Sequence, residues 1–202
     1  MPWIFPRHFF KNKMKNIILT LVFSAFVVMI LISSSGAPIG TTGAHGELTC
    51  GKVGCHTGVN QSENINTGLG VFKIESLQDI SNYKAGEIYE ISVTLDEVDV
   101  ERFGFSLTVL DENFNKAGEL IVIDSIRTQV FKGVRQFTGR EYITYRNIGT
   151  LPYSKGKGWW TFKWKAPDVY VGKITFYAAG VSANNDGTDK GDLVYTKVLI
   201  AK

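Results

Sequence analysis

The sequence predicts an all-β protein, an antiparallel sandwich of short strands, and three observations carry that expectation. Beyond Leu69, apolar and polar residues alternate with a period of two, the mark of strands with one buried face. Clusters of turn-forming residues separate these runs, at Lys84-Ala85-Gly86, Asp111-Glu112-Asn113, Lys155 to Gly158, Ala166-Pro167-Asp168 and Asn184 to Asp192. No stretch past residue 70 carries a helical period, and no internal repeat is visible. A chain of 202 residues with 44% apolar content has enough material for one good core. Two cysteines are too few for a disulfide-stapled scaffold.

The first 36 residues read as an export segment. Arg7, Lys11, Lys13 and Lys15 precede the uncharged run Ile17–Ile32, which gives way to Ser33-Ser34-Ser35-Gly36-Ala37. A basic start, a short apolar stretch and small residues after it make a signal peptide. The run of sixteen falls short of the roughly 20 residues a membrane span needs. Cleavage is expected after Ser35 or Gly36, with an uncleaved signal anchor as the alternative and the only route to a membrane. Removing this segment also changes the charge. Four of the 22 basic residues and none of the 19 acidic ones lie in it, so the remainder holds 18 against 19 and is close to neutral. Without a basic stripe, nucleic-acid binding is not expected.

Residues 37–68 are rich in Gly, Thr, Ser and Asn and form a loop-rich lead segment holding both cysteines, Cys50 and Cys55, and the histidines His45 and His56. Residues 69–202 are the sandwich. Tyr89, Ile91, Val93 and Leu95 share one face of a strand, with Glu90, Ser92, Thr94 and Asp96 on the other. The same alternation recurs in Phe103, Phe105, Leu107 and Val109, in Trp160, Phe162 and Trp164, and in Ile174, Phe176 and Ala178. Leu193 to Ile200 is apolar enough for burial on both faces in places. By this alternation Trp160 and Trp164 belong to the core, and Trp159 points the other way.

Phe103-Gly104-Phe105 leading to Leu110-Asp111 and Ala117-Gly118 resembles the first half of a Reeler domain. Trp164-Lys165-Ala166-Pro167 and Gly172 to Gly180 resemble its second half, and Asn184 to Gly187 with Gly191 to Thr196 its closing loop and last strand. The resemblance covers residues 69–200 and implies an immunoglobulin-like sandwich in secreted or surface proteins, without enzymatic activity. Thr42-Gly43-Ala44-His45-Gly46 and Thr49-Cys50 through Cys55-His56 are similar to the segment before the sandwich in bacterial choice-of-anchor proteins, with His45 in place of the usual Pro. Such relatives often carry a further anchoring segment, which is not expected after Lys202.

Cys50-Gly51-Lys52-Val53-Gly54-Cys55-His56 is the sharpest chemical signal. In c-type haem attachment two thiols bind the porphyrin and the following His ligates the iron. The usual spacing has two residues between the thiols, and here there are four. On a helix, a separation of three places the thiols about 60° apart and one of five about 140° apart, so the insert must bulge. Gly51 and Gly54 permit such a bulge. Two other readings stay open. One is a Cys50–Cys55 disulfide closing a six-residue loop, worth about 2 kcal/mol. The other is a metal site of both Cys with His56 and His45, although adjacent Cys55 and His56 fit one tetrahedral ion poorly.

The acid-rich Asn184–Asp192 stretch lacks the spacing of a twelve-residue calcium loop and reads as a solvated turn. Asp96, Glu97, Asp99 and Glu101 read as a solvated edge. No His lies beyond residue 56, so a hydrolytic Ser-His-Asp group is not expected, nor is an enzyme. The expected function is therefore an exported haem c protein for electron transfer or redox sensing, working in the periplasm, at the cell surface or outside. Cys50, Cys55 and His56 would hold the haem, with His56 the proximal ligand. All three Met residues lie in the first 29 positions, leaving His45 or Tyr145 as candidates for the sixth position. The alternative is a non-catalytic adhesion or binding module with the cysteines in a disulfide. Neither the redox partner nor the surface ligand is legible.

Overall fold

Alternation in the sequence becomes alternation in burial. Along β7 (Lys157–Lys165) every second residue is buried, placing Gly158, Trp160, Phe162 and Trp164 inward. The same holds for Tyr89, Ile91, Val93 and Leu95 on β2 (Ile88–Asp96), which pairs with β7 along its whole length. The other strands are β1 (Val71–Ser76), β3 (Arg102–Leu110), β4 (Glu119–Val122), β5 (Thr128–Lys132), β6 (Glu141–Tyr145), β8 (Ile174–Ala183) and β9 (Leu193–Ala201). They form a four-stranded sheet in the order β1-β2-β7-β4 and a five-stranded sheet in the order β5-β6-β3-β8-β9, antiparallel throughout. The fold is an all-β, immunoglobulin-like antiparallel sandwich. This computed structural model describes residues 17–20, 36–52, 55–57 and 64–202.

The chain divides into two units, Met1–Ser34 and Ser35–Lys202. Residues 17–20 are helical, and the rest of the expected export segment up to Ser35 lies outside the described residues. Among the described residues no helix is long and apolar enough to cross a membrane.

The core between the sheets is aromatic. Trp160, Trp164, Phe103, Phe105, Phe162 and Phe176 are all fully buried. Each tryptophan has its one polar atom satisfied: the Trp160 indole N–H donates to the Gly149 carbonyl at 2.9 Å and that of Trp164 to Ala117 at 2.8 Å. Trp159 faces outward and packs against Tyr153.

β3, at the centre of its sheet, is buried on both faces after Arg102. Its second face is covered because residues 36–52 and 55–57 lie over the outside of the five-stranded sheet. The Ala37 N–H donates to Thr144 on β6 at 3.0 Å, and Cys50 packs with Ala179, Val181 and Val194 in a second apolar cluster. Consecutive residues Val194 and Tyr195 on β9 accordingly belong to different clusters, one outside the sheet and one in the main core.

Two local expectations are corrected. The turn anticipated over Lys155–Gly158 is shorter, because Ser154 and Lys157 bridge and Lys157 already pairs with Asp96 as the first residue of β7. Glu97 is not a free acid on a solvated edge. It accepts a short hydrogen bond from the Tyr195 hydroxyl, which in turn accepts from the Gly70 N–H at 3.0 Å. Burial, then the Glu97 bond, pushes the Tyr195 phenol up to about 12.

Candidate functional site

The lead segment reaches the sheet as a tight loop. Thr42 and Thr49 form an antiparallel bridge, and the Gly43 N–H donates to the Leu48 carbonyl at 2.9 Å. At the loop's turn stands Glu47, whose side chain has no exposed surface. One carboxylate oxygen accepts from Arg140 at 2.6 Å and Tyr142 at 2.7 Å; the other accepts from the Thr42 hydroxyl at 2.6 Å. A buried carboxylate is tolerated only when paired and hydrogen-bonded, and this one is both. Arg140 also donates to the His45 carbonyl at 3.1 Å, so Arg140 and β6 together hold the loop down.

Cys50 follows, and it is 6% exposed. Its thiol donates to the Thr41 carbonyl at 3.7 Å. Burial pushes its pKa up to about 11, so it stays a thiol and a poor nucleophile at neutral pH. Cys55 is half-buried, and neither cysteine is in a disulfide in this structure. The His56 N–H donates to the Cys50 carbonyl at 3.0 Å. In the folded protein, iodoacetamide at about pH 8 is therefore expected to modify Cys55 and spare Cys50, with both reacting after denaturation. Peptide mapping by mass spectrometry checks this. Equal native labelling would show that Cys50 is not held under the loop.

His56 is fixed from the far end of the chain. Its Nδ1 lies 2.5 Å from Asp192 Oδ2, and the aspartate side chain is only 2% exposed. A carboxylate only accepts, so Nδ1 carries the proton and Nε2 is the nitrogen left for a ligand. Asp192 Oδ1 accepts from the Asn184 N–H at 3.1 Å, and the neighbouring backbone is zipped to the lead segment by bonds of 3.0 Å from Thr57 N–H to Asp189 and from Gly191 N–H to Thr57. The Asn184–Asp192 stretch is thus a solvated turn only as far as Gly191. Its last residue is turned inward as the partner of His56, which corrects the sequence-based expectation for that position.

His56, Phe103, Gly104, Phe105, Tyr145 and Val181 line a cavity of about 380 Å³, together with Arg102, Thr150, Ala183 and Asn185. That size lies within the roughly 300–1,000 Å³ of small-molecule sites. Tyr145 can reach the cavity because Gly104 has no side chain; a β-carbon there would fall 2.7 Å from the Tyr145 ring. Burial, with a smaller contribution from nearby Cys50, pushes the Tyr145 phenol up to about 12, so it presents a neutral hydroxyl.

Of the residues named from sequence, His56 and Tyr145 therefore meet at one cavity. Cys50 lies behind its wall, packed against Val181. His45 goes elsewhere: its ring is stacked on Phe114 with centroids 3.9 Å apart. Among the described residues no group of three His, Cys, Asp or Glu side chains is placed to hold a metal ion. Asp192, Glu47 and Arg102 were not singled out as site residues by sequence reasoning. For Asp192 and Glu47 the partners lie 136 and about ninety residues away, and no local pattern marks them.

No protein-family model matches the chain, and no curated protein matches it. Among solved structures it is similar to the human F-spondin reeler domain, at 21% identity over 68% of this chain and 94% of that one, with a TM-score of 0.46. A second structure, the Reelin-N domain of F-spondin, gives 21% identity over 68% and 91% with a TM-score of 0.47. A cohesin module from a Clostridium perfringens family 33 glycoside hydrolase is 12% identical over 67% and 95%, with a TM-score of 0.43.

Proposed function

We propose that the protein is an exported, non-catalytic binding module whose ligand is a haem, held where the lead segment meets the five-stranded sheet, and that it serves electron transfer or redox sensing. One observation carries this reading: His56, oriented through Nδ1 by a buried carboxylate, lines the same apolar cavity as Tyr145. An imidazole whose other nitrogen donates to a carboxylate is the usual arrangement of a metal-ligating histidine. Val181, Ala183 and the Tyr145 ring are the apolar side chains a porphyrin would lie against, and a bound haem would supply one-electron exchange at its iron.

The chain's own residues divide the work. Asp192 fixes the tautomer and direction of His56. Tyr145 keeps its proton and so would offer a bound group a hydrogen bond rather than a strong ligand. His45, stacked on Phe114, takes no part. Cys55 is the more accessible thiol, whereas Cys50 is packed with Ala179, Val181 and Val194 and would have to leave that cluster to be attached to a ligand in the cavity.

Burial of Cys50 outside the cavity lining favours a second reading, a surface-binding module in which Cys50 and Cys55 form a disulfide and no haem is present. Expression with a cytochrome maturation system, then haem staining on a denaturing gel, separates the two. The expected result is a stained band and a high-spin ferric spectrum that turns low-spin with added imidazole. His56→Ala should abolish the native spectrum, and Asp192→Asn should weaken it. A colourless protein with an intact Cys50–Cys55 disulfide establishes the second reading instead.

A further inference from the structure

The lead segment joins the sandwich at its very first residues. Ala37 is 7% exposed, and its N–H donates to the Thr144 hydroxyl at 3.0 Å. Thr144 has no exposed surface and donates its own O–H to the Phe105 carbonyl at 2.7 Å. Gln129 on β5 and Ser106 on β3 flank it in the five-stranded sheet, so the Ala37 amide lies over neutral polar groups. Gly36 is half-buried beside it and closely fitted. A β-carbon there would fall 2.8 Å from Gln129 Nε2 and 2.9 Å from Thr144 Cγ2. Its φ of +124° asks for glycine as well. The compact unit that holds the sandwich begins at Ser35. By small-residue chemistry alone, the bonds after Ser35 and after Gly36 are equally fit to be cut. The two products differ in what they ask of the fold.

We infer that processing cuts the Ser35–Gly36 bond, so that the mature chain begins at Gly36. The inference rests on the reading of the protein as exported. In the cut, water adds across the amide: the Ser35 carbonyl becomes a carboxylate and the Gly36 nitrogen an amine. The new α-ammonium then stands on a half-buried residue that water still reaches. Ala37 keeps the neutral N–H that Thr144 accepts from. The φ of Gly36 ceases to exist as a dihedral, while the closeness of Gln129 and Thr144 still favours glycine. A cut one bond later puts the ammonium on Ala37 itself. That charge would be buried against a neutral hydroxyl, and an ammonium taken from water without a counter-charge is costly. The start of the lead segment would have to leave β6 to keep it solvated.

The test expresses the full chain in an exporting bacterial host and reads the intact mass of the exported product. A single species running from Gly36 to Lys202 is expected. A second measurement treats the same material at about pH 7 with an amine-acylating reagent. At that pH the reagent prefers an α-amine, of pKa about 7.7–8.0, to lysines at about 10.4. The Gly36 amine should label in the native protein as well as after denaturation. A product that begins at Ala37, alone or in a mixture, overturns the inference. So does a Gly36 amine that labels only after denaturation, because residues 36–37 would then bury the charge that this cut keeps in water. Retention of Met1 or Met14 on exported protein overturns the cleavage and leaves the exported reading in place. A product found only inside the cells overturns both.

Discussion

Replacing Trp164 with alanine is expected to destabilise the sandwich by about 3–5 kcal/mol, the cost of emptying a large buried aromatic site. Trp164 is fully buried between the sheets, with its ring edge-on to Phe176 at 5.0 Å and within 6 Å of both Tyr83 and Tyr89. Its loss also strands the Ala117 carbonyl that the indole N–H satisfies. Five residues away on the same strand, Trp159→Ala should cost below about 1 kcal/mol, since that ring lies on the outer face against the exposed Tyr153. Equilibrium unfolding in urea measures both. Equal losses at the two positions would mean the faces of β7 are assigned the wrong way round.

The second large effect is expected at Glu47. Breaking a buried, hydrogen-bonded ion pair by removing one partner costs about 3–5 kcal/mol, because the remaining charge stays buried without a counter-ion. In Glu47→Ala, Arg140 and the Tyr142 hydroxyl lose their shared acceptor, and the Thr42 hydroxyl loses its own. Glu47→Gln keeps the shape and should cost less. The exposed Lys165–Asp168 pair provides the contrast, since water screens it and its removal should hardly register. Hydrogen exchange adds a spatial readout: Glu47→Ala should lose protection across residues 36–52 while β2 and β7 keep theirs. A loss confined to a few tenths of a kcal/mol, or uniform deprotection, would show that Glu47 does not anchor the lead segment.

The strands were legible because each writes its own burial locally. Tyr89 to Leu95 and Trp160 to Trp164 need no knowledge of their partners to declare an inner face. Tyr145 was legible as a buried strand residue and as a candidate ligand, and the structure places it on β6 at the cavity wall. Neither Asp192 nor Glu47 could be found that way. Each is an unremarkable acid in a polar stretch, and only the folded topology turns it inward towards a partner a hundred or so residues distant. Arg102 belongs with them: at the start of a strand it looks like an edge charge until Thr150 and Asn185 are brought to it. Sequence patterns report periodicity; a site assembled from distant loops has none.

The clasp between His56 and Asp192 spans 136 positions, and that separation has a meaning in time. At about 5–20 residues per second, Asp192 is synthesised about 7–27 s after His56. Closure of a short loop takes about 10–100 ns by comparison, so for most of that interval the lead segment has neither β6 nor the 189–192 turn to lie on. Throughout it Cys50 is an ordinary exposed thiol, and it acquires its high pKa only when the last strands arrive. The nascent chain thus passes through a period, set by translation rather than by chemistry, in which both cysteines react alike; folding then withdraws one of them.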